Sequence, residues 1–387
     1  MPFTSALWDA PERQALRASV AGFVDRHILP NQDEWEHEGL IPRELHVEAA
    51  KLGLLGLGMP EEVGGSGGDV VDAVITEEEL LYRGTSGGVF ASLFTSGIAL
   101  PHLIAAGDAD QINRWVRPTL AGEKIGSLAI TEPSGGSDVG HLRTTAQLDG
   151  DEYVVNGSKT FITSGVRADF VVTAVRTGGA GAGGVSLLVV EKGTPGFTVT
   201  RKLDKMGWLA SDTAELSYQD VRVPTANLVG AENSGFAQIA NAFVTERVAL
   251  AVQAYAHAQR CLDLTLAWVR DRETFGRPLI SRQSVQNTVT EMARRIDVAR
   301  TYTRAVVESQ VNGSPADLIA EVCFAKNTAV EAGEWVANQA VQLFGGMGYM
   351  NGTEVERQYR DMRILGIGGG TTEILTGLAA KRLGYQA

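Results

Sequence analysis

The chain has 387 residues, of which 44% are hydrophobic and 21% charged, so it is long and apolar enough for several globular units and unlike a disordered or fibrous protein. A formal net charge of −12 at pH 7 disfavours nucleic acid and anionic membranes as partners, because both need a broad basic field. Any phosphate site must therefore be local.

The cysteine pattern and the termini bear on the compartment. Cys261 and Cys323 are isolated, so they form neither a disulfide framework nor a metal site, and the six histidines lack metal-ligand spacing. The N-terminus has no signal or transit pattern, and no apolar run reaches the roughly 18 to 20 residues that span a bilayer. We expect a cytoplasmic protein with no metal and no membrane span.

The first third of the chain, residues 1–123, predicts a helical domain. Apolar residues recur at helical spacing from Leu16 to Ile28, and Pro30 ends the run. Asp69 is a candidate N-cap for a helix that reaches Leu81. Residues 87–107 are apolar nearly all round, as a buried helix would be.

Residues 124–232 predict a β domain, a barrel or sandwich. Six segments with the two-residue alternation of strands follow one another, separated by Asp-Gly and glycine-rich turns. The glycine-rich run 179–184 matches a dinucleotide-binding spacing, but it joins two strands instead of a strand and a helix. We interpret it as a hairpin turn.

Residues 233–387 predict a second helical domain. Ser234 is a candidate N-cap, and neither glycine nor proline interrupts the pattern from Phe236 to Phe275, which predicts one very long helix. Two or three further helices follow. The order is therefore helical, then β, then helical, an α+β fold.

Several stretches could hold a polar or planar ligand. The run 128–140 passes from an apolar strand into hydroxyls and glycines, and Phe161 and Thr163 lie two apart on one strand face, beside which a planar heterocycle would fit. An irregular turn and a half-buried strand edge fit these two patterns as well. Near the C-terminus, "GIGGGTTEIL" leaves the backbone bare.

Two further stretches have simple structural explanations. Arg272 and Phe275 follow the long helix, where the helix dipole favours cations. Paired glycines in "QLFGGMGYM" are typical of a helix C-cap.

Taken together, "AITEPSGGSD", "NGSKTFITSG", "KMGWLASDTAEL", "RETFGRP", "QLFGGMGYM" and "GIGGGTTEI" resemble the acyl-CoA dehydrogenase family along nearly the whole chain. The resemblance implies an N-terminal helical domain, a middle β domain and a C-terminal four-helix bundle. It also implies FAD, an acyl-CoA substrate, an electron acceptor such as electron-transferring flavoprotein, and a homotetramer, a dimer of dimers that shares each FAD site between subunits.

The same resemblance assigns site residues. For the cofactor these are Leu128, Ile130, Thr131, Ser137, Phe161, Ile162, Thr163, Arg272, Phe275, Gln283, Gln342, Leu343, Gly345, Gly346, Thr371 and Glu373. For the substrate they are Ser137, Phe243, Val244, Arg247 and Gly370. Arg272, Phe275 and Gln283 match residues that reach the FAD of a neighbouring subunit.

The catalytic base needs a separate argument. Short- and medium-chain relatives have a glutamate where this sequence has Gly369, whose backbone N–H is then expected to polarise the thioester carbonyl. Isovaleryl and long-chain enzymes instead place a glutamate before an arginine on the long helix, as Glu246 and Arg247 are here. From the residues alone, Glu246 could be a solvent-facing partner of Arg247, and Arg247 a structural ion-pair residue. With Gly369 unable to take a proton, we assign the base to Glu246.

The resemblance leaves other functions open. Acyl-CoA oxidases and flavin monooxygenases are similar to the same family, and a non-catalytic assembly partner would tolerate glycine at position 369. Phe161, "KMGWLASDTAEL" and "GGTTEI" resemble the long-chain type. We therefore expect a medium-to-long straight acyl chain on the substrate, with a branched acyl chain as the second choice. The expected product is a trans-2-enoyl-CoA.

Overall fold

A computed structural model describes residues 6–313 and 318–385, which form helical, β and helical regions in chain order. Residues 6–123, the described part of the N-terminal region, contain eight α-helices. These are α1 (Pro11–Phe23), α2 (Gln32–Glu38), α3 (Glu44–Lys51), α4 (Val70–Tyr82), α5 (Gly87–Leu93), α6 (Ser96–Ala106), α7 (Ala109–Gln111) and α8 (Arg117–Leu120). The predicted cap of α4 is confirmed, because the Asp69 side chain accepts hydrogen bonds from the N–H groups of Val71 and Asp72.

The expectation of one continuous buried helix over residues 87–107 was wrong. The chain forms two helices, α5 and α6, separated at Phe94 and Thr95, where the Thr95 hydroxyl bonds back to the Ala91 carbonyl. By length and composition, the 20 residues 87–106 do qualify as a candidate membrane span, with a mean hydropathy of 1.7. This corrects the expectation that no run is long enough. Half of the stretch is buried inside the protein, as in a core helix.

The middle region forms one curled sheet of seven strands. They are β1 (Gly126–Ala129), β2 (Thr145–Asp149), β3 (Glu152–Thr163), β4 (Phe170–Arg176), β5 (Val185–Glu191), β6 (Phe197–Lys202) and β7 (Thr213–Pro224). β4 pairs antiparallel with β5, so the glycine-rich run 179–184 is a hairpin connection as predicted. β3 pairs antiparallel with β2 and β7, and its register with β7 shifts between Lys159 and Ile162.

The C-terminal region begins with one long helix, α9, as the pattern predicted, but it ends at Asp271, four residues before Phe275, and the Ser234 hydroxyl donates to the Ala231 carbonyl instead of capping it. Its helices are α9 (Gly235–Asp271), α10 (Gln283–Asn312), α11 (Ile319–Phe344), α12 (Gly346–Tyr349), α13 (Glu354–Met362) and α14 (Thr372–Arg382). A short hairpin, β8 (Glu273–Thr274) and β9 (Arg277–Pro278), separates α9 from α10. One core cluster joins α9, α10 and α11 to Val71 and Ile75 of α4, so the bundle packs directly on the N-terminal helices.

A buried ion pair fixes the chain where β1 ends. Lys159 of β3 is completely buried, and its ammonium donates to the carbonyl of Ile130 (3.0 Å) and to Glu132 (2.9 Å). Glu132 also accepts from the N–H of Thr144 at 2.8 Å. Since each charge has partners, the pair holds the segment 130–132 against β3.

We expect Lys159→Met to lower the free energy of unfolding by about 3–5 kcal/mol, because it leaves Glu132 as a buried charge without a cation. Urea unfolding at neutral pH measures the change. Lys51→Met is the matched control: its pair with Glu48 is exposed, so about 0–1 kcal/mol is expected. Equal losses in the two variants would contradict this account of the pair.

Candidate active site

Glu246 lies in the first third of α9, between buried Val244 and Arg247, and its own side chain is partly accessible. Burial raises the pKa of this carboxyl to about 7, against the opposing charges of Arg247 and Lys326. A carboxyl with this pKa is half ionised near neutral pH, as a general base requires.

The glycine run approaches Glu246 from the far end of the chain. Gly369 has φ +65°, and a Cβ built on it would lie 2.4 Å from Cδ1 of Leu250 and 3.4 Å from Oε1 of Glu246. No side chain fits there without displacing Leu250, which explains the glycine. The Glu246 carboxylate therefore lies where a side chain at position 369 would begin.

Two cations from two helices hold the glycine run. Nε of Arg247 in α9 donates to the carbonyl of Gly369 at 3.1 Å. Nζ of Lys326 in α11 donates to the carbonyls of Gly368 at 2.5 Å and Gly370 at 2.6 Å. Sequence reasoning missed Lys326, although a lysine inside the apolar helical run "VCFAKNTAV" was an available signal.

The predicted ring-binding segments lie side by side. The N–H of Thr160 donates to the Thr131 carbonyl (2.9 Å), and the Ser127 hydroxyl donates to the Thr163 carbonyl (2.6 Å). Phe161 lies in the irregular part of β3 with φ +61° and is 68% exposed, whereas Ile162 is buried. A bulky side chain in this backbone region is strained, and such strain is concentrated at functional sites.

Hydrophobic packing joins these segments to the start of α9. Leu128 and Phe243 pack against one core cluster that also contains Ile130 and Ile239. The guanidinium of Arg247 lies over the Phe243 ring, 5.6 Å from its centre. Phe243 thus connects the strand segment that carries Leu128 and Ile130 with the part of α9 that carries Glu246.

The last two predicted cofactor residues, Thr371 and Glu373, follow the glycine run at the start of α14. Thr371 is the N-cap of α14, and its hydroxyl accepts from the N–H of Ile374 at 3.4 Å. Glu373 is exposed in the first turn, where hydrogen bonds from its own backbone N–H and from Thr371 lower the pKa of its carboxyl. Gly370, with φ +102°, leads into the cap.

Comparison with known proteins agrees with this architecture. Models of the acyl-CoA dehydrogenase N-terminal, middle and C-terminal domains match residues 10–123, 127–221 and 233–384. The chain belongs to the acyl-CoA dehydrogenase family.

Individual relatives cover nearly the whole chain. A crystal structure from Mycobacterium smegmatis, provisionally described as an acyl-CoA dehydrogenase, is 74% identical with a TM-score of 0.97, covering 98% of this chain and 100% of its own. The long-chain specific acyl-CoA dehydrogenase of Rattus norvegicus is 38% identical over 96% of this chain and 86% of its own length. The short-chain specific enzyme of Mus musculus is 36% identical over 95% and 89%.

The family membership identifies this acyl-CoA dehydrogenase homologue as a flavin-dependent oxidoreductase that uses FAD. The loop after β1 suits the phosphates of that cofactor. Ser137 is exposed, a Cβ on Gly135 would meet no atom within 4 Å, and the N–H groups of Gly136 and Ser137 have no acceptor among the described residues. Open donors on a bare loop can bind an anionic oxygen.

Other predicted cofactor residues lie at the opposite end of α9. Arg272 follows Glu246 by 26 residues, which places it about 39 Å away along the helix. Around it lie the predicted residues Phe275, which is 96% exposed, Gln283, Gln342, Leu343, Gly345 and Gly346. Trp268 connects the end of α9 with the end of α11. Its Nε1 donates to the Leu343 carbonyl (3.1 Å), and the Arg272 guanidinium lies 5.9 Å from the centre of the Trp268 ring. Sequence reasoning missed Trp268.

We expect Gly369→Ala to destabilise the protein for two reasons that a control can separate. A non-glycine residue at positive φ costs about 1–2 kcal/mol, and the contact with Leu250 adds about 1–3 kcal/mol of overpacking. Gly193→Ala is the control, because Gly193 has φ +87° and open space around its Cβ position. Urea unfolding that gives the same loss for both variants would refute the close approach of residue 369 to Leu250.

Proposed function

We propose that this enzyme dehydrogenates an acyl-CoA thioester between its α and β carbons, with Glu246 as the base, to give a trans-2-enoyl-CoA. The observation that carries the proposal is the position of the Glu246 carboxylate, 3.4 Å from the Cβ position of Gly369. The Glu246 carboxylate thus lies beside the position from which a glutamate at 369 would extend, which supports Glu246 as the base in its place.

Bound FAD supplies the acceptor for the β hydrogen and its electron pair. Glu246 takes the α proton, and its pKa of about 7 leaves it ionised often enough to do so at neutral pH. The N–H of Gly369 donates to the thioester carbonyl, where negative charge develops as the proton leaves. Phe243, one turn before the base, and Val244, two residues before it, are the residues proposed to border the acyl chain.

The acyl chain is proposed to be medium-to-long and straight, or branched as a second choice. The relatives do not decide the length, since a long-chain and a short-chain enzyme are almost equally similar. Support comes from the resemblance of Phe161 and of residues 205–216 to the long-chain type. Anaerobic bleaching of the bound flavin with acyl-CoA substrates of graded length and branching tests this choice.

Electron-transferring flavoprotein is the proposed electron acceptor. The proposed location is the cytoplasm, which agrees with the free, buried thiols of Cys261 and Cys323. An oxidase or monooxygenase of the same fold would pass its electrons to oxygen instead. Substrate-reduced enzyme mixed with air-saturated buffer distinguishes them: rapid reoxidation favours the oxidase, slow reoxidation the dehydrogenase. A colourless purified protein would favour a non-catalytic assembly partner.

The separation along α9 supports one feature of the proposed homotetramer, the sharing of each FAD site between subunits. Arg272 is about 39 Å from Glu246 along α9 and Phe275 follows it on the short hairpin, so a flavin ring bound beside Glu246 is out of reach of both in the same chain. Phe275 is almost fully exposed on the short hairpin, as a residue that inserts into a neighbouring copy would be. These facts support an FAD site shared between subunits.

The direct test is Glu246→Gln, which keeps the shape of the side chain and removes the base. We expect bound FAD to be retained and flavin reduction by acyl-CoA to slow by about 10²- to 10⁴-fold, the range for loss of a general base. For the unmodified enzyme, kcat/KM should rise with pH through about 7. Exposed Glu331→Gln is the control. A Gln variant that reduces flavin at the original rate would remove Glu246 from the mechanism.

The same variant has a second consequence, for stability. The folded-state pKa of Glu246, about 7, lies above the ordinary value of 4.5, so between these pH values the folded chain holds a proton that the unfolded chain has released. The stability of the unmodified protein therefore falls as pH rises through this window. Glu246→Gln lacks this loss.

We expect Glu246→Gln to gain about 1–2 kcal/mol of unfolding free energy over the unmodified protein between pH 5 and pH 8. The full shift would correspond to about 3.4 kcal/mol, but the side chain is partly accessible and solvent screening reduces the effect. Urea unfolding across this pH range measures it. Parallel curves for the two proteins would show that Glu246 is not desolvated in the fold.

A further inference from the structure

The carbonyls of three consecutive residues in the glycine run point toward cations. Those of Gly368 and Gly370 accept from Lys326, and the one between them, that of Gly369, accepts from Arg247. Lys326 is 1% exposed, so its ammonium has lost its water and is compensated by these carbonyls. One buried lysine thus fixes the two outer peptide groups of the run.

Peptide geometry then fixes where the N–H groups point. In a trans peptide, the C=O and the following N–H point in opposite directions, and the described residues contain no cis peptide. The N–H groups of Gly369, Gly370 and Thr371 therefore point away from Lys326 and Arg247. None of the three has an acceptor among residues 6–313 and 318–385.

Successive free N–H groups in a left-handed stretch form a concave site for an anionic oxygen. Gly369 and Gly370 have φ +65° and +102°, which provides this conformation. Residues 368–372 are partly exposed, so the N–H side of the run is accessible while the carbonyl side is closed by Lys326.

We propose that Lys326 is a positioning residue for the thioester: by holding the carbonyls of Gly368 and Gly370, it keeps the N–H of Gly369 directed at the oxygen that becomes negative when the α proton leaves. The inference rests on the proposed function, since it assumes that acyl-CoA binds beside Glu246. Lys326 does not touch the substrate; it acts through the backbone of the glycine run.

Lys326 suits this role better than Arg247. Arg247 holds one carbonyl, is adjacent to the base in sequence and lies over the Phe243 ring, so replacing it would disturb several contacts at once. Lys326 holds both flanking carbonyls from a different helix. The charged or titratable groups that act on Glu246 are Arg247 from α9 and Lys326 from α11, with Cys323 of α11 beside them.

The test uses a ligand that ionises but cannot be dehydrogenated. Acetoacetyl-CoA has an acidic α proton, and its enolate absorbs light. The enolate absorbance of the FAD-loaded enzyme with this ligand bound, measured across a range of pH, gives the pKa of the bound α proton. Oriented N–H donors stabilise the enolate and lower that pKa. We expect Lys326→Met to raise it by about one to two units, which corresponds to a 10- to 100-fold loss of ionisation.

Steady-state kinetics should show a matching separation. We expect kcat with acyl-CoA to fall by about 10²-fold in Lys326→Met, as for loss of one oxyanion donor, while KM changes by less than about threefold. Lys326→Arg keeps a cation with several donors and should recover part of both effects. Lys124→Met is the matched control, since Lys124 also donates to a main-chain carbonyl, that of Arg114, and neither residue belongs to the glycine run or to the predicted cofactor segments.

An unchanged ligand pKa and kcat in Lys326→Met would overturn the proposal. If that variant does not fold with FAD, Lys326→Leu, which also removes every donor, is titrated instead; a ligand pKa equal to that of the unmodified enzyme would be equally decisive. If the unmodified enzyme neither ionises acetoacetyl-CoA nor is bleached by any acyl-CoA, the proposed function fails and this inference falls with it.

Discussion

The close approach of the glycine run to α9 is the constraint on which the site depends. Residue 369 comes from the last twenty residues of the chain and Glu246 from its middle, yet a Cβ on one would almost touch the carboxylate of the other. A residue without a side chain permits this contact beside Leu250, and α9 presents Glu246 and Leu250 one turn apart on the same face. The carboxylate is thereby desolvated, which raises its pKa to about 7.

Buried lysines hold the backbone on both sides of the site. Lys159 binds the Ile130 carbonyl and Glu132 behind the strand segment that carries Thr131, and Lys326 binds the carbonyls of the glycine run. In each case an ammonium inside the protein is compensated by carbonyl oxygens or a carboxylate, so the backbone has one favourable position. A site that must bind a large cofactor benefits from this rigidity, because less ordering remains to be done on binding.

Much of the fold could be predicted from local patterns. Asp69 before an apolar run predicts α4, and the uninterrupted periodicity after Ser234 predicts α9, because capping and amphipathicity are encoded in neighbouring residues. The break at Phe94 and Thr95 was missed, since the apolar pattern continues across it and only the Thr95 hydroxyl marks the end. Lys326 and Trp268 were missed for another reason: their partners, Gly368, Gly370 and Leu343, are distant in sequence, and no periodicity links them. The family resemblance pointed to Glu246 as the base, but only the three-dimensional structure gives its distance from position 369.

The convergence of Glu246 and position 369 also explains how one fold can carry its base on either of two segments. A base must reach the α carbon of the thioester from the side opposite the flavin ring, and the requirement concerns the carboxylate oxygens, not the backbone that carries them. If the side chain starts on the glycine run, its Cβ needs the space that Leu250 Cδ1 occupies here; if it starts on α9, that space can be filled and the run must be glycine. In this structure a side chain at position 369 would therefore require Leu250 to move. The identities of residues 246, 250 and 369 are therefore coupled, and none of the three can be read for function without the other two.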